Sequence, residues 1–169
     1  MSNVKFMNPF VEAASEVLKA EVQAEVRRGT LSLQKASLTT DDVTVLISLV
    51  GEVQGVVLYG FSVETCLAIV SRITEQEFKE FDNLAQSGIA ELGNVITGRA
   101  TIKLSESGYR SNISPPTLIH GRGIQISTLD FSRIVVPLVT EFGDIVVHLA
   151  LRESPPGAGD HNFVPISIP

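Results

Sequence analysis

In the stretch Ser87-Gly88-Ile89-Ala90-Glu91-Leu92-Gly93-Asn94-Val95-Ile96-Thr97-Gly98, a hydroxyl, a carboxylate and an amide follow one another at spacings of four and three. On a helix those spacings place Ser87, Glu91 and Asn94 on one face, each a turn above the last, with Gly98 continuing the line. A carboxylate can pair with a cation, and a side-chain amide donates and accepts hydrogen bonds at once. The apolar residues Phe78, Phe81, Ala85, Ile89, Leu92, Ile96 and Ala100 fall on one broad stripe at about 100° per residue, and the polar face points roughly 130° away from Leu92, toward solvent. A glutamate and an asparagine on a solvated face need have no function. Against that bland reading, Asn is a mediocre helix former in mid-helix, and Gly88, Gly93 and Gly98 each lower helix stability by about 1 kcal/mol relative to Ala. So many small residues beside a polar face leave room for another surface to approach.

Elsewhere the chain offers little competing chemistry. No Gly-x-Ser-x-Gly elbow, Walker loop or dinucleotide fingerprint is present. Gly121-Arg122-Gly123 is too short for a phosphate cradle and has no helix pattern behind it, so it reads as a turn. His120, His148 and His161 are scattered, without Cys, Asp or Glu at zinc-ligand spacing. His148 alternates with Val146 and Ala150 and reads as a half-exposed strand residue. The single cysteine, Cys66, lies in an apolar helical run, a place for a buried small hydrophobe rather than a nucleophile, and it excludes an internal disulfide framework.

Composition narrows the class further. The chain has 169 residues, 44% hydrophobic and 19% charged, the profile of one folded globular domain. Its net charge of −6 argues against nucleic acid or an anionic membrane surface as partner. The one adjacent basic pair, Arg27-Arg28, precedes Gly29 and reads as the dipole-complementing end of a helix. The N-terminal residues carry no apolar run behind a basic region, and no segment approaches a bilayer-spanning length, so a cytoplasmic location is expected.

The elements that must position the polar face follow from periodicity. Pro9 to Arg28 reads as an amphipathic helix opened by Pro and closed by Gly29. Thr30 to Leu38 alternates through Leu31, Leu33 and Ala36 as a strand leading to an Asp41-Asp42 turn. Val43–Val50 and Val53–Phe61 form a hairpin around Gly51-Glu52, followed by a helix from about Ser62, its cap, to Ile73. The longest helix pattern runs from about Glu75 to Leu104 and ends at Gly108. After Ser114-Pro115-Pro116 and the apolar run Thr117–His120, a second hairpin joins Arg133–Phe142 to Asp144–Arg152 near Gly143. Residues 1–153 thus read as one domain and 154–169 as a flexible tail. The two halves repeat an order of long helix, strand and hairpin, which implies an α+β pseudo-duplication with two long helices covering an antiparallel sheet.

The run Ser87-x-x-x-Glu91-x-x-Asn94, followed by a long spacer and Pro116, resembles the active-site signature of the CheC, CheX and FliY phosphatases of bacterial chemotaxis. The layout from Pro9 to Arg152 is similar to theirs, and Gly55–Ser62 resembles the corresponding CheX segment. In the first helix, Glu12, Glu16, Glu21 and Glu25 are followed three residues later by Ser15, Lys19, Ala24 and Arg28. A single Glu-x-x-Asn matches CheX better than the two-site CheC pattern. The spacer from Asn94 is about a residue shorter than in the family, so Pro115 and Pro116 are both candidates for the matching proline.

The resemblance implies a phosphatase that hydrolyses the aspartyl phosphate of a CheY-like response regulator. Asn94 would hold the attacking water in line with the phosphorus, and Glu91 would dock onto the regulator's lysine. Ser87, Gly98 and Pro116 would shape the contact surface. No cofactor is expected in this chain, the regulator supplying the Mg²⁺, and a homodimer joined at sheet edges is implied. A non-catalytic module or scaffold that binds the regulator is the alternative; intact Glu91 and Asn94 favour the enzyme.

Overall fold

β-Branched residues crowd into two pairs of long runs, and those runs become the centre of one antiparallel sheet. The structure, a computed structural model, describes residues 4–35, 37–129 and 131–156. A 3-10 turn at Val4–Phe6 leads into α1 (Met7–Val22), short strands β1 (Arg27–Arg28), β2 (Ser32–Gln34) and β3 (Leu38–Thr39), and the hairpin β4 (Val43–Gly51) and β5 (Val53–Phe61). Helices α2 (Val63–Thr74) and α3 (Asn83–Glu106) follow, then β6 (Ser111–Ile113), β7 (Thr117–His120), β8 (Gln125–Ile126) and the hairpin β9 (Arg133–Thr140) and β10 (Gly143–Glu153).

The two hairpins meet along β5 and β10, paired antiparallel from Val53 opposite Glu153 to Gly60 opposite Val146. Outward from this seam the order is β10-β9-β1 on one side and β5-β4-β6 on the other, with β2 also on β9 and β7 also on β4. The arrangement is pseudo-twofold, and it exchanges parts. After α1, β1 and β2 pair with the second hairpin, and after α3, β6 and β7 pair with the first, while β3 and β8 pair with each other as a separate two-stranded ribbon. This is the α+β layout expected from the repeat order.

One face of the sheet carries the main core. Val45, Ile47, Val57, Tyr59, Val136, Leu138, Val147 and Leu149 meet Phe10, Ala14, Val17 and Leu18 of α1 and Ile89, Leu92 and Ile96 of α3 in a single cluster. Strand alternation sends Thr44, Leu58, Val135, His148 and Ala150 to the opposite face. There Phe131 lies against the Arg152 guanidinium, 4.4 Å from ring centroid to Cζ. His148 is half-buried, as its alternation suggests, but its Nδ1 is enclosed without a hydrogen-bond partner among the described residues. Burial, and secondarily the Arg133 charge, pulls its pKa down to about 4.

Several boundaries differ from the sequence reading. Helix α1 stops at Val22, because Gln23 turns left-handed and the Gln23 and Ala24 amides close back on the Lys19 and Leu18 carbonyls. Arg27 and Arg28 are therefore strand residues opposite Val139 and Leu138, not the end of a helix. The strand expected over Thr30–Leu38 is divided between β2 and β3, and β2 is exposed; Ala36 lies outside the described residues. The long helix begins at Asp82, whose carboxylate caps the Ala85 amide at 2.9 Å, while Glu75 already ends α2 in a left-handed turn. Ser62 does cap α2, accepting from the Thr65 amide at 3.1 Å. Ser154, read as the start of the tail, bonds the Glu52 carbonyl through its amide, and residues 157–169, with His161, lie outside the described residues. Among the described residues, no helix is long and apolar enough to cross a membrane.

Two stability predictions follow from the sheet. Gly55 has φ +137°, and a Cβ there would overlap the Ala150 carbonyl on the neighbouring strand. Gly55→Ala is expected to cost roughly 2–4 kcal/mol in urea denaturation, and a wild-type midpoint would contradict this reading of the seam. His148 titrates at about 4 in the fold, below the ~6.5 of the unfolded chain, so the unfolded state takes up the proton first as pH falls. Its contribution is whole above ~6.5 and lost toward about 4; moving from about pH 7 to about pH 5 should remove up to ~2 kcal/mol, a loss that shrinks in His148→Leu. An unchanged pH profile in that variant would assign the effect to other groups.

Candidate functional site

Helix α3 is held on three sides. Its apolar stripe is buried at Ala85, Ile89, Leu92, Ile96 and Ala100, with Phe81 at its start, while Phe78 is only half-buried on the preceding loop. Gly93 lets it lie against the sheet: a Cβ there would come within 2.9 Å of Val45 Cγ1 and 3.5 Å of Tyr59 Cδ2. Gly88 does the same toward α2, where a Cβ would meet Val70 Cγ1 at 3.1 Å. Along α1, Glu16 accepts from Lys103 at 2.8 Å and from Arg99 at 3.2 Å, and Glu12 lies 3.6 Å from Lys103. These pairs raise the Lys103 pKa and lower that of Glu16, in each case mainly through the hydrogen bond between them.

The remaining side is open and carries the polar line. Ser87 and Glu91 are exposed, Asn94 and Gly98 half-buried, and a Cβ added at Gly98 would meet nothing within 4 Å. Among the described residues, none bonds or ion-pairs with the side chains of Ser87, Glu91 or Asn94. Of the three glycines read from the sequence as room for a partner, only Gly98 faces outward; Gly88 and Gly93 are taken up by packing inside the molecule. Exposed Leu84, Val95 and Ile102 run along one side of the line, so the open face is polar with an apolar strip on one flank.

The proline segment runs back alongside α3 in the opposite direction. At one end the Tyr109 amide bonds the Leu104 carbonyl at 2.9 Å, and at the other His120 stands edge-on to Phe81 with centroids 5.1 Å apart. Between them, Ser114 is tied to β4 by exchange with the Ser48 backbone, and Pro115 is exposed whereas Pro116 is half-buried just before β7.

The residues set aside on sequence grounds stay apart from this face. Burial pushes the Cys66 thiol up to about 12, so the thiolate is not populated near neutrality. Gly121-Arg122-Gly123 forms a turn, with Arg122 3.0 Å from Asp42. Among the described residues, no group of three or more His, Cys, Asp or Glu side chains is placed to hold a metal ion. Sequence reasoning did not single out Tyr59 and Thr97, which lie directly beneath the site: the Tyr59 hydroxyl is 2.8 Å from Thr97 Oγ1.

Known proteins share this fold. The family model described as chemotaxis phosphatase CheX matches residues 43–139, more than half of the chain, including all of α3. The CheY-P phosphatase CheX of Thermotoga maritima is 28% identical over 153 residues, covering 89% of this chain and 97% of that protein. A CheC-like superfamily protein from Shewanella sp. PV-4 superposes with a TM-score of 0.81 at 28% identity, over 89% of this chain and 99% of that one. A chain of the CheX–CheY–BeF3–Mg²⁺ complex from Borrelia burgdorferi does so with a TM-score of 0.76, also at 28% identity, over 89% of this chain and 100% of the other. On the matched helix, sheet and hairpins together, this chain belongs to the chemotaxis phosphatase CheX family.

Proposed function

We propose that the chain is a phosphatase acting on the aspartyl phosphate of a CheY-like response regulator, with Asn94 positioning the attacking water and Glu91 docking to the regulator's lysine. The observation that carries the residue assignment is the open face of α3. It offers a carboxylate and an amide one turn apart, both without a partner among the described residues, on a helix fixed by packing on its other sides. Family membership and the Thermotoga relative's phosphatase name support the activity.

An aspartyl phosphate is an acyl phosphate, so its carboxylate is a ready leaving group. Water oxygen bonds to phosphorus as the bond from phosphorus to the aspartyl oxygen breaks, releasing aspartate and inorganic phosphate. The transition state is loose, so catalysis lies mainly in alignment. The Asn94 amide fixes the water through donated and accepted hydrogen bonds and takes no proton. Glu91, with no cation paired to it among the described residues, is free to pair with a lysine on the partner. The Borrelia complex contains CheY and Mg²⁺ together, which supports a metal ion that arrives with the regulator rather than in a site of this chain.

Residues 1–153 act as one unit in this reading, in the cytoplasm beside the regulator, with Ser87, Gly98 and Pro116 contributing to the contact. We also propose a homodimer through sheet edges, since the outer strands are only two to four residues long and leave Val50 69% exposed. Sedimentation equilibrium should return twice the chain mass; a monomer at all concentrations would dismiss the dimer alone. The assay for the activity follows decay of phosphorylated regulator with Mg²⁺ present. Wild-type protein should accelerate the decay, Asn94→Ala should lose roughly 100-fold or more in kcat, and Glu91→Ala should raise KM roughly tenfold. Binding of the regulator without acceleration by wild type would instead identify a docking module.

A further inference from the structure

Beneath the exposed face of α3 runs a buried chain of hydrogen bonds. The Thr97 hydroxyl donates to the Gly93 carbonyl at 2.7 Å, and the Tyr59 hydroxyl lies 2.8 Å from Thr97 Oγ1. Each hydroxyl has one proton. With that of Thr97 committed to Gly93, Tyr59 is the donor in the other bond. Both residues are fully buried. The Gly93 carbonyl belongs to the peptide unit that ends at the Asn94 nitrogen. The chain therefore connects the sheet, through two side chains, to the backbone of Asn94.

Core packing alone does not ask for these residues. Phe and Val fill nearly the same shapes without burying polar atoms, and a buried hydroxyl is favourable only when its bonds are made. Threonine bonded back to the carbonyl four residues earlier also bends a helix locally. Here the back-bond reaches Gly93, where the missing Cβ lets the helix rest on Val45 and on the Tyr59 ring itself. One turn of α3 is thus gripped by its backbone as well as by its side chains, and it is the turn from which Glu91 and Asn94 project.

We infer that Tyr59 and Thr97 are positioning residues that set the pitch of this turn, and through it the aim of the Asn94 amide at its water. The inference rests on the phosphatase reading above. Its test is steady-state dephosphorylation of the regulator by wild type, Tyr59→Phe, Thr97→Val and Thr97→Ser, with circular dichroism reporting the folded fraction. Expected are a fall in kcat of roughly tenfold or more for Thr97→Val and a smaller fall for Tyr59→Phe, each with KM within about twofold of wild type. Thr97→Ser, which keeps the back-bond, should recover most of the rate. Should Thr97→Val not fold, Tyr59→Phe, which removes one oxygen only, carries the test. Wild-type kcat in the folded variants, a loss matching the lost folded fraction, or no recovery in Thr97→Ser would overturn the inference. If wild type itself fails to accelerate the decay, the phosphatase reading falls and this inference with it; if it accelerates and the variants equal it, only this inference falls.

Discussion

Helix α3 approaches the sheet at Gly93 more closely than a side chain would allow, and the geometry of the site depends on that approach. Glycine in a helix costs about 1 kcal/mol relative to Ala, and α3 carries it at three positions. An isolated helix of this composition would be weak. In the folded chain, its stripe from Ala85 to Ala100 and its contacts with Val45, Tyr59 and Val70 offset that weakness. A helix stabilised by what lies beneath it leaves its upper face free of intramolecular duties. Glu91 and Asn94 occupy that face.

The two halves of the pseudo-duplication divide the work unequally. In α3 the acidic residue of the polar line is exposed and unpaired among the described residues. In α1 the acidic residues Glu12 and Glu16 reach across to Lys103 and Arg99. Such exposed pairs contribute little to stability, but they hold two helices in register. The absence of a second Glu-x-x-Asn in α1 thus has a structural counterpart: Glu12 and Glu16 of that helix are engaged with the one that bears the site.

Local chemistry was legible in the sequence wherever it decided the structure. The hairpin around Gly51-Glu52, the Ser62 cap, the buried stripe of α3 and the exposure of Ser87 and Glu91 all follow from periodicity and turn residues. What escaped was set by distant partners. The end of α1 depends on a left-handed Gln23 rather than a glycine, and Arg27-Arg28 becomes strand because β9 lies beside it. Glu75 to Phe81 is compatible with helix by composition, yet the Asp82 cap starts α3 after it. Gly88 and Gly93 read as openings for a partner because a sequence does not reveal which side of a helix is already occupied. Thr97 sits in an apolar context with no local sign that Tyr59, 38 residues earlier, will meet it.

The exchanged short strands also constrain how the chain reaches its fold. Arg27 finds Val139, and Val53 finds Glu153, across about a hundred residues of chain, while the hairpins themselves are local. A sheet built on such distant pairings has high contact order and folds slowly compared with one of neighbouring strands. During synthesis the first hairpin emerges with β5 as a bare edge, and that edge stays unpaired until β10 has left the ribosome. The seam that joins the halves is thus also the surface most open to unwanted strand pairing in the unfinished chain, and completion of β10 is what closes it.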